Sequence, residues 1–177
     1  MNLLAVDPAF GGKDRTGVVL IERDVVTRAF ELGGLFADQI DAVKYLAMNS
    51  GAAVVIDATG GGRAWLDTLA QTPGIGVTGI ILTRAGVDIA REGRAWRVPT
   101  RAIWSAARLA LQEKLFEFEL PEADRRLLVE QLGRIKEHNG KITGKFGKRG
   151  RDDVATAFAL AAWTRRQFIE TTKKEAA

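Results

Sequence analysis

The sequence predicts an α/β fold in which helices flank a mixed five-stranded sheet, with three antiparallel strands followed by parallel ones. The first observation is the order of periodic segments, which reads three strands, helix, strand, helix, strand. The second is a pair of apolar runs, residues 2–7 and 52–57, which are typical of central strands buried on both faces. The third is the composition: of 177 residues, 46% are hydrophobic and 27% are charged, as in an ordinary globular domain.

The opening of the chain supplies the antiparallel half of this sheet. Residues 2–7 lead through a glycine turn into strands predicted over 16–22 and 25–32, which form a meander with the first strand. Residues 36–49 carry apolar side chains largely at helical spacing, and Gly51 is placed to end that helix as its C-terminal cap.

The middle of the chain supplies the parallel half. The run 52–57 and a fifth strand over 77–82 are separated by a tight glycine turn and a helix predicted over 63–71. Residues 83–98 contain two glycines and broken apolar stretches, so we interpret them as a loop or short hairpin near the site. Residues 100–114 have the pattern of a strongly amphipathic helix.

Two helices and a hairpin complete the predicted fold. We expect helices over 122–133 and 151–168, with a β-hairpin between them, because Asn139-Gly140 is the strongest short turn signal for a hairpin. No low-complexity linker divides the sequence. We therefore expect a single domain over 1–171 and a short polar tail over 172–177.

Composition also excludes several classes of chemistry. The chain has no cysteine, which excludes disulfide scaffolds, thiol nucleophiles and cysteine zinc sites, and its single histidine, His138, argues against a multi-histidine metal site. No apolar run approaches the roughly 20 residues that span a bilayer, and no secretory signal is evident, so we expect a cytoplasmic protein without a membrane partner. An enzyme of this composition would depend on carboxylates.

Positive charge is concentrated in one stretch. The net charge is +4, and residues 134–151 carry seven cations against one acid: Arg134, Lys136, Lys141, Lys145, Lys148, Arg149 and Arg151. A second cluster comprises Arg84, Arg91, Arg94, Arg97 and Arg101. Such stretches suit a phosphate backbone and indicate contact with nucleic acid, although a solvated charged loop would have the same composition.

Three acids occupy positions that surface acids seldom take. Asp7 and Asp57 each end an apolar run, and Asp153, with Asp152 beside it, opens the last apolar helix. The ends of adjacent central strands lie side by side, and a helix can bring its first residues to the same edge. Clustered carboxylates repel one another unless a cation neutralises them, and hard cations such as Mg²⁺ prefer oxygen ligands. A pair of such metals can activate water for phosphodiester hydrolysis.

Each acid also has a structural interpretation. Asp7, before Pro8, could begin a turn, and Asp57 could form an Asx turn into Thr59. Asp153 could be only a helix N-cap. The three positions together, beside a basic hairpin, favour the metal site.

The three acidic motifs also resemble a known family. Asp7–Gly17 (DPAFGGKDRTG), Val54–Arg63 (VVIDATGGGR) and Arg151–Ala161 (RDDVATAFALA) resemble, in that order, the three acidic motifs of the nuclease domain of phage large terminases. That domain has the ribonuclease H-like fold, which Holliday-junction resolvases share. The resemblance spans nearly the whole chain.

The resemblance implies a metal-dependent endonuclease that cuts DNA. By motif position Asp7, Asp57 and Asp153 would be the ligands of Mg²⁺ or Mn²⁺, with two ions in a two-metal mechanism and Asp152 as the competitor for the third place. One departure is Thr156, which stands where many relatives carry another acid. Asp14, in the glycine turn, is more simply interpreted as a surface residue.

A second departure is the absence of a phosphate-binding loop. No Gly-x-x-x-x-Gly-Lys-Ser/Thr segment occurs in the sequence. We therefore expect no ATPase activity here, and a separate ATPase or packaging protein is the implied partner. The sequence is consistent with an excised nuclease domain or with a stand-alone phage or prophage protein acting in the bacterial cytoplasm.

Three functional hypotheses follow. The first is a two-metal endonuclease in phage DNA processing or packaging. The second is a non-catalytic DNA-binding or assembly module on the same fold. The third is a nuclease that resembles Holliday-junction resolvases and cuts branched DNA.

Overall fold

A computed structural model describes residues 1–9, 15–84, 87–138, 141–143 and 152–175, with the side chains of 137, 138, 141–143 and 170–175 left aside. Within these ranges the strands are β1 (Leu3–Asp7), β2 (Thr16–Glu22), β3 (Val25–Leu32), β4 (Ala53–Asp57), β5 (Val77–Thr83), β6 (Ala90–Glu92), β7 (Ala95–Pro99), β8 (Glu117–Phe118), β9 (Lys136–His138) and β10 (Lys141–Thr143). The helices are α1 (Phe36–Ser50), α2 (Gly62–Ala70), α3 (Thr100–Gln112), α4 (Glu122–Gly133) and α5 (Asp153–Glu175).

The predicted mixed sheet is confirmed, but it is wider than predicted. Eight strands pair in the order β6-β7-β5-β4-β1-β2-β3-β8. The central five are the predicted ones: β1, β2 and β3 are antiparallel, whereas β4 and β5 run parallel to β1. The expected count of five was wrong, because the segment 83–98 contributes β6 and β7 at one edge and β8 adds a two-residue strand at the other.

Helices cover both faces of this sheet. Because side chains alternate along a strand, the odd-numbered residues of β1, such as Leu3 and Ala5, pack with α3, α4 and α5, and the even-numbered ones pack with α1 and α2. Trp65 and Phe158 are the largest fully buried side chains, one in each layer. Gly51 ends α1 in the left-handed conformation with φ 60°, as predicted.

Helix α5 is the central helix of one layer. Every residue from Val154 to Trp163 is buried, and the helix packs on β1, β2 and β4 and against α3 and α4. A helix that is apolar all round is expected in such a position. It continues to Glu175, past the predicted end at Phe168, so that residues 172–175 of the expected tail are helical.

The basic segment begins as the predicted hairpin. Strands β9 and β10 pair antiparallel, with Lys141 opposite His138, as a separate two-stranded sheet. Lys145, Lys148, Arg149 and Arg151 lie outside the described residues. No helix in the described part of the chain is long and apolar enough to cross a membrane.

Candidate functional site

Two of the three candidate aspartates lie side by side at one edge of the sheet. Strands β1 and β4 are parallel neighbours, and Val6 pairs with Ile56, so Asp7 and Asp57 are the next residue on each strand. Neighbouring strands are about 4.8 Å apart. Both aspartates share the face that α5 covers, and both are half-buried. The prediction that these two strand ends lie side by side is therefore confirmed.

A close approach at Gly17 brings the start of α5 to the same edge. Gly17 pairs with Asp7 across β1 and β2. A Cβ atom built on Gly17 would lie 2.5 Å from the amide nitrogen of Val154 and closer still to the carbonyl group of Asp153. Only a residue without a side chain leaves room for this contact. The sheet and the helix thus place Asp153 beside Asp7.

The first turn of α5 separates the roles of the two adjacent aspartates. The carbonyl oxygen of Asp152 accepts from the amide of Thr156 at 2.7 Å, so Asp152 takes the N-cap position and Asp153 is the first helical residue. The interpretation of Asp153 as only an N-cap is therefore wrong. Asp153 is half-buried, as Asp7 and Asp57 are, whereas Asp152 is 6% exposed.

The amides at the start of α5 are capped from another helix. The N–H groups of Val154 and Ala155 donate to Oε1 of Gln131 at 2.8 and 3.1 Å. In most helices the N-cap side chain accepts a hydrogen bond from one of these two positions. Gln131 lies in α4 and is 2% exposed, and its Nε2 donates to Oε1 of Glu31 on β3 at 2.9 Å. Nothing in the sequence pattern indicated this capping residue, because it lies 23 positions away.

The turn after Asp57 is an Asx turn, which is the structural interpretation that the sequence offered for this residue. The Thr59 amide donates to Oδ1 of Asp57 at 2.8 Å, and the Thr59 hydroxyl accepts from the amide of Leu82 on β5 at 2.8 Å. A Cβ on Gly62 would lie 2.9 Å from the Asp57 carbonyl carbon, so α2 begins directly against this residue. A carboxylate has two oxygens with about four acceptor sites. One side chain can therefore close the turn and also bind a cation.

A buried polar chain holds the segment that follows Asp7. The amide of Ala9 donates to the Thr16 hydroxyl at 2.9 Å, the hydroxyl donates to Oε1 of Gln39, and Nε2 of Gln39 donates to the carbonyl of Gly34 at 2.9 Å. Thr16 and Gln39 are fully buried. Neither residue was predicted from the sequence, because a single polar residue does not reveal a partner that lies far along the chain.

Exposed arginines follow the strand ends at the same edge. Arg63 lies in the first turn of α2 after β4, Arg84 follows β5, and Arg101 lies in the first turn of α3 after β7. These connections leave parallel strands at the end where Asp7 and Asp57 lie.

Two other arginines predicted to contact DNA, Arg94 and Arg97, lie beside and within β7. Arg97 is exposed within β7, one residue beyond the row in which Asp57, Ile80 and Trp96 pair. Arg94 is exposed in the turn before β7, and the fold does not bring it to the edge that carries the aspartates.

The carboxylates of the candidate site are not arranged as a preformed metal-binding site in the described residues. Among the described residues, no group of three or more His, Cys, Asp or Glu side chains is arranged to hold a metal ion. The donor chemistry nevertheless fits one: Asp7, Asp57 and Asp153 come from three separate segments to one edge, and each offers the hard oxygen ligands that Mg²⁺ and Mn²⁺ prefer.

Solved structures of phage nucleases share this fold. A variant nuclease domain of the large terminase subunit gp2 of bacterial virus Sf6, with manganese and beta-thujaplicinol, matches with a TM-score of 0.70 and 19% identity over 91% of this chain and 87% of its own. The large terminase nuclease of thermophilic phage G20c with bound magnesium matches with a TM-score of 0.65 and 19% identity over 92% and 80%. The nuclease domain of bacteriophage SPP1 with bound Mn matches with a TM-score of 0.53 and 14% identity over 93% and 86%.

The likeness is one of structure. No protein-family model and no curated protein matches the sequence. Identities of this size establish a shared fold, and the ribonuclease H-like architecture implied by the three acidic motifs is thereby confirmed.

Proposed function

We propose that this chain is a metal-dependent endonuclease that hydrolyses phosphodiester bonds in double-stranded DNA. The observation that carries the proposal is the meeting of Asp7, Asp57 and Asp153 at one edge of the sheet, with Gly17 keeping the start of α5 in contact with β2. The structural neighbours are nuclease domains, and several of them were determined with manganese or magnesium.

In this proposal the three aspartates hold Mg²⁺ or Mn²⁺, in one or two sites. A cation bound there would activate a water molecule and stabilise the leaving oxygen of the phosphodiester. Asp7 and Asp57 supply oxygens from strands about 4.8 Å apart, close enough to share an ion. Asp153 supplies the third carboxylate from the helix, and Asp152 is the alternative at that position.

Positive side chains would guide the DNA backbone to these carboxylates. Arg63, Arg84 and Arg101 are exposed at the same edge and can neutralise phosphates beside the acids. The basic segment 134–151 leads directly into Asp152 and Asp153, so a duplex that reaches the carboxylates would pass it. Contacts of this kind position a duplex without reading its sequence.

The finer assignment is phage or prophage DNA processing. These 177 residues contain no phosphate-binding loop, so DNA packaging driven by ATP would use an ATPase that lies outside them. The motifs and the fold of the structural neighbours support this assignment.

The test is cleavage of supercoiled plasmid in Mn²⁺, in Mg²⁺ or in EDTA. We expect nicked and linear products with either metal and none in EDTA. Asp7→Asn and Asp57→Asn keep the size of the side chain and remove the ligand charge. Their loss of activity should exceed the 10–100-fold that is typical of removing partners outside the ligand set.

Asp41→Asn is the matched control. Asp41 lies on α1 with its side chain 74% exposed, in the layer on the other face of the sheet, and this variant should cleave as the original protein does. DNA binding without cleavage in any metal would contradict the proposal in favour of a non-catalytic module. Preferential cutting of branched DNA would favour a resolvase-like activity.

A further inference from the structure

A buried glutamine connects the start of α5 to the sheet. Gln131 uses both ends of its side-chain amide: Oε1 accepts from Val154 and Ala155, and Nε2 donates to Glu31. It thereby joins α4, α5 and β3, which are distant in sequence. One side chain of α4 therefore hydrogen-bonds to the sheet and to α5 at the same time.

The orientation of this amide is fixed by its partners. Two backbone N–H groups can be satisfied only by the oxygen end, and the Glu31 carboxylate can be satisfied only by the nitrogen end. Gln131 is 2% exposed, so water cannot readily replace either set of partners. A reversed amide would leave buried donors facing each other, which is costly in a low-dielectric interior.

Glu31 lies in the same cross-strand row as the proposed site. Asp7 pairs with Gly17, and Gly17 pairs with Glu31 on β3. Directly paired residues share a face of the sheet, which here is the face that α5 covers. The contact at Gly17 limits how closely α5 approaches β2, and the bond to Glu31 limits where the helix start lies across the strands.

We propose that Gln131 is a positioning residue for Asp153. It holds the first turn of α5 in place against Gly17, next to Asp7. This inference rests on the proposed role of Asp153 as a metal ligand. The expected effect of Gln131 is on metal binding, because its bonds to the amides of Val154 and Ala155 hold the turn that carries Asp153. Glu31 orients Gln131.

The test measures Mn²⁺ binding to the full chain by isothermal titration calorimetry. Gln131→Leu removes both hydrogen-bonding ends, and Gln131→Met is a second variant that keeps an unbranched side chain of similar length if the first fails to fold. We expect the Kd for Mn²⁺ to rise by about 10-fold or more, the range found when partners outside the ligand set are removed. Amide hydrogen exchange at Val154 and Ala155 should become faster in the same variants.

Two further variants separate positioning from general loosening. The double variant Glu31→Gln, Gln131→Glu exchanges the two residues at unchanged net charge. The carboxylate at position 131 then accepts hydrogen bonds from the amides of Val154 and Ala155, and the side-chain amide at position 31 donates to that carboxylate. It should bring the Kd for Mn²⁺ back to within about 3-fold of the original value. That difference is smaller than the loss of about 10-fold or more expected when a residue that holds a metal ligand is removed.

The control is Asp124→Ala, on the same helix α4. Asp124 accepts from Nε of Arg28 at 3.0 Å and from the amide of Ala29 at 3.1 Å, so this change loosens α4 from β3 in the first turn of α4, whereas Gln131 lies in its last turn. It should lower the melting temperature and leave the Kd nearly unchanged.

The outcomes distinguish this inference from the proposed function. Equal Kd values for Gln131→Met and Asp124→Ala, or a reversed pair that restores nothing, would overturn the positioning role even if the protein cuts DNA. A protein that binds Mn²⁺ and depends on Gln131, yet leaves plasmid intact, would support the positioning role and contradict the nuclease. A protein that binds no Mn²⁺ would overturn both.

Discussion

Replacing Gly17 by alanine is the sharpest single perturbation of the proposed site. The added Cβ would lie 2.5 Å from the Val154 nitrogen, whereas non-bonded heavy atoms normally stay about 3.5 Å apart or more. The start of α5 must then move by about 1 Å. A misplacement of that size at a reacting centre can reduce the rate by about 100-fold, and we expect a loss of this order in plasmid cleavage with Mn²⁺.

The same substitution has a predictable cost in stability. Overpacking a well-packed contact costs typically about 1–3 kcal/mol, which corresponds to a fall in Tm of roughly 2–12 °C for a chain of this size. Gly76→Ala is the matched control, because a Cβ there meets nothing within 4 Å. A folded Gly17→Ala variant that cleaves at the original rate would refute the argument that the start of α5 carries a catalytic group.

Two further predictions concern the helix start and the basic segment. Asp153→Ala should reduce the initial rate of cleavage more than Asp152→Ala, because Asp153 is half-buried like the other two aspartates whereas Asp152 is buried; the opposite order would move the third ligand to Asp152. Replacing Lys145, Lys148 and Arg149 together by alanine should weaken DNA binding alike for unrelated sequences and flatten the slope of log affinity against log salt by roughly 0.9 per lost phosphate contact. An unchanged slope in an anisotropy titration would place the DNA path elsewhere.

The strand ends were predictable because local pattern and tertiary position agree there. Residues 2–7 and 52–57 are apolar until a final acid, which is the pattern of a buried strand whose last residue reaches the sheet edge. The turn chemistry of Asp57 and Thr59 was also local, and it was recovered as an Asx turn.

The remaining features depend on contacts between distant segments. Strands β6 and β8 are only three and two residues long, so no alternating pattern shows that a hairpin in 83–98 or an extended piece near Phe118 joins the main sheet, and every residue of β6 is exposed. Gly17 lies within a strand pattern, and its neighbours in the sequence do not indicate why a residue without a side chain is needed there. Its role follows from α5, which begins 136 positions later at Asp153 (153 − 17). Gln131 likewise has an ordinary place in an amphipathic helix, and its three partners are set by tertiary packing.

The most direct measurement is anomalous diffraction from crystals of the full chain soaked in Mn²⁺. The proposal predicts one or two manganese peaks at the edge where β1 and β4 end, bonded to carboxylate oxygens of Asp7, Asp57 and Asp153. It also predicts that the peaks disappear in Asp7→Asn crystals. Manganese that binds elsewhere, or that remains at this edge in the Asp7→Asn variant, would contradict the assignment of these aspartates as the metal ligands.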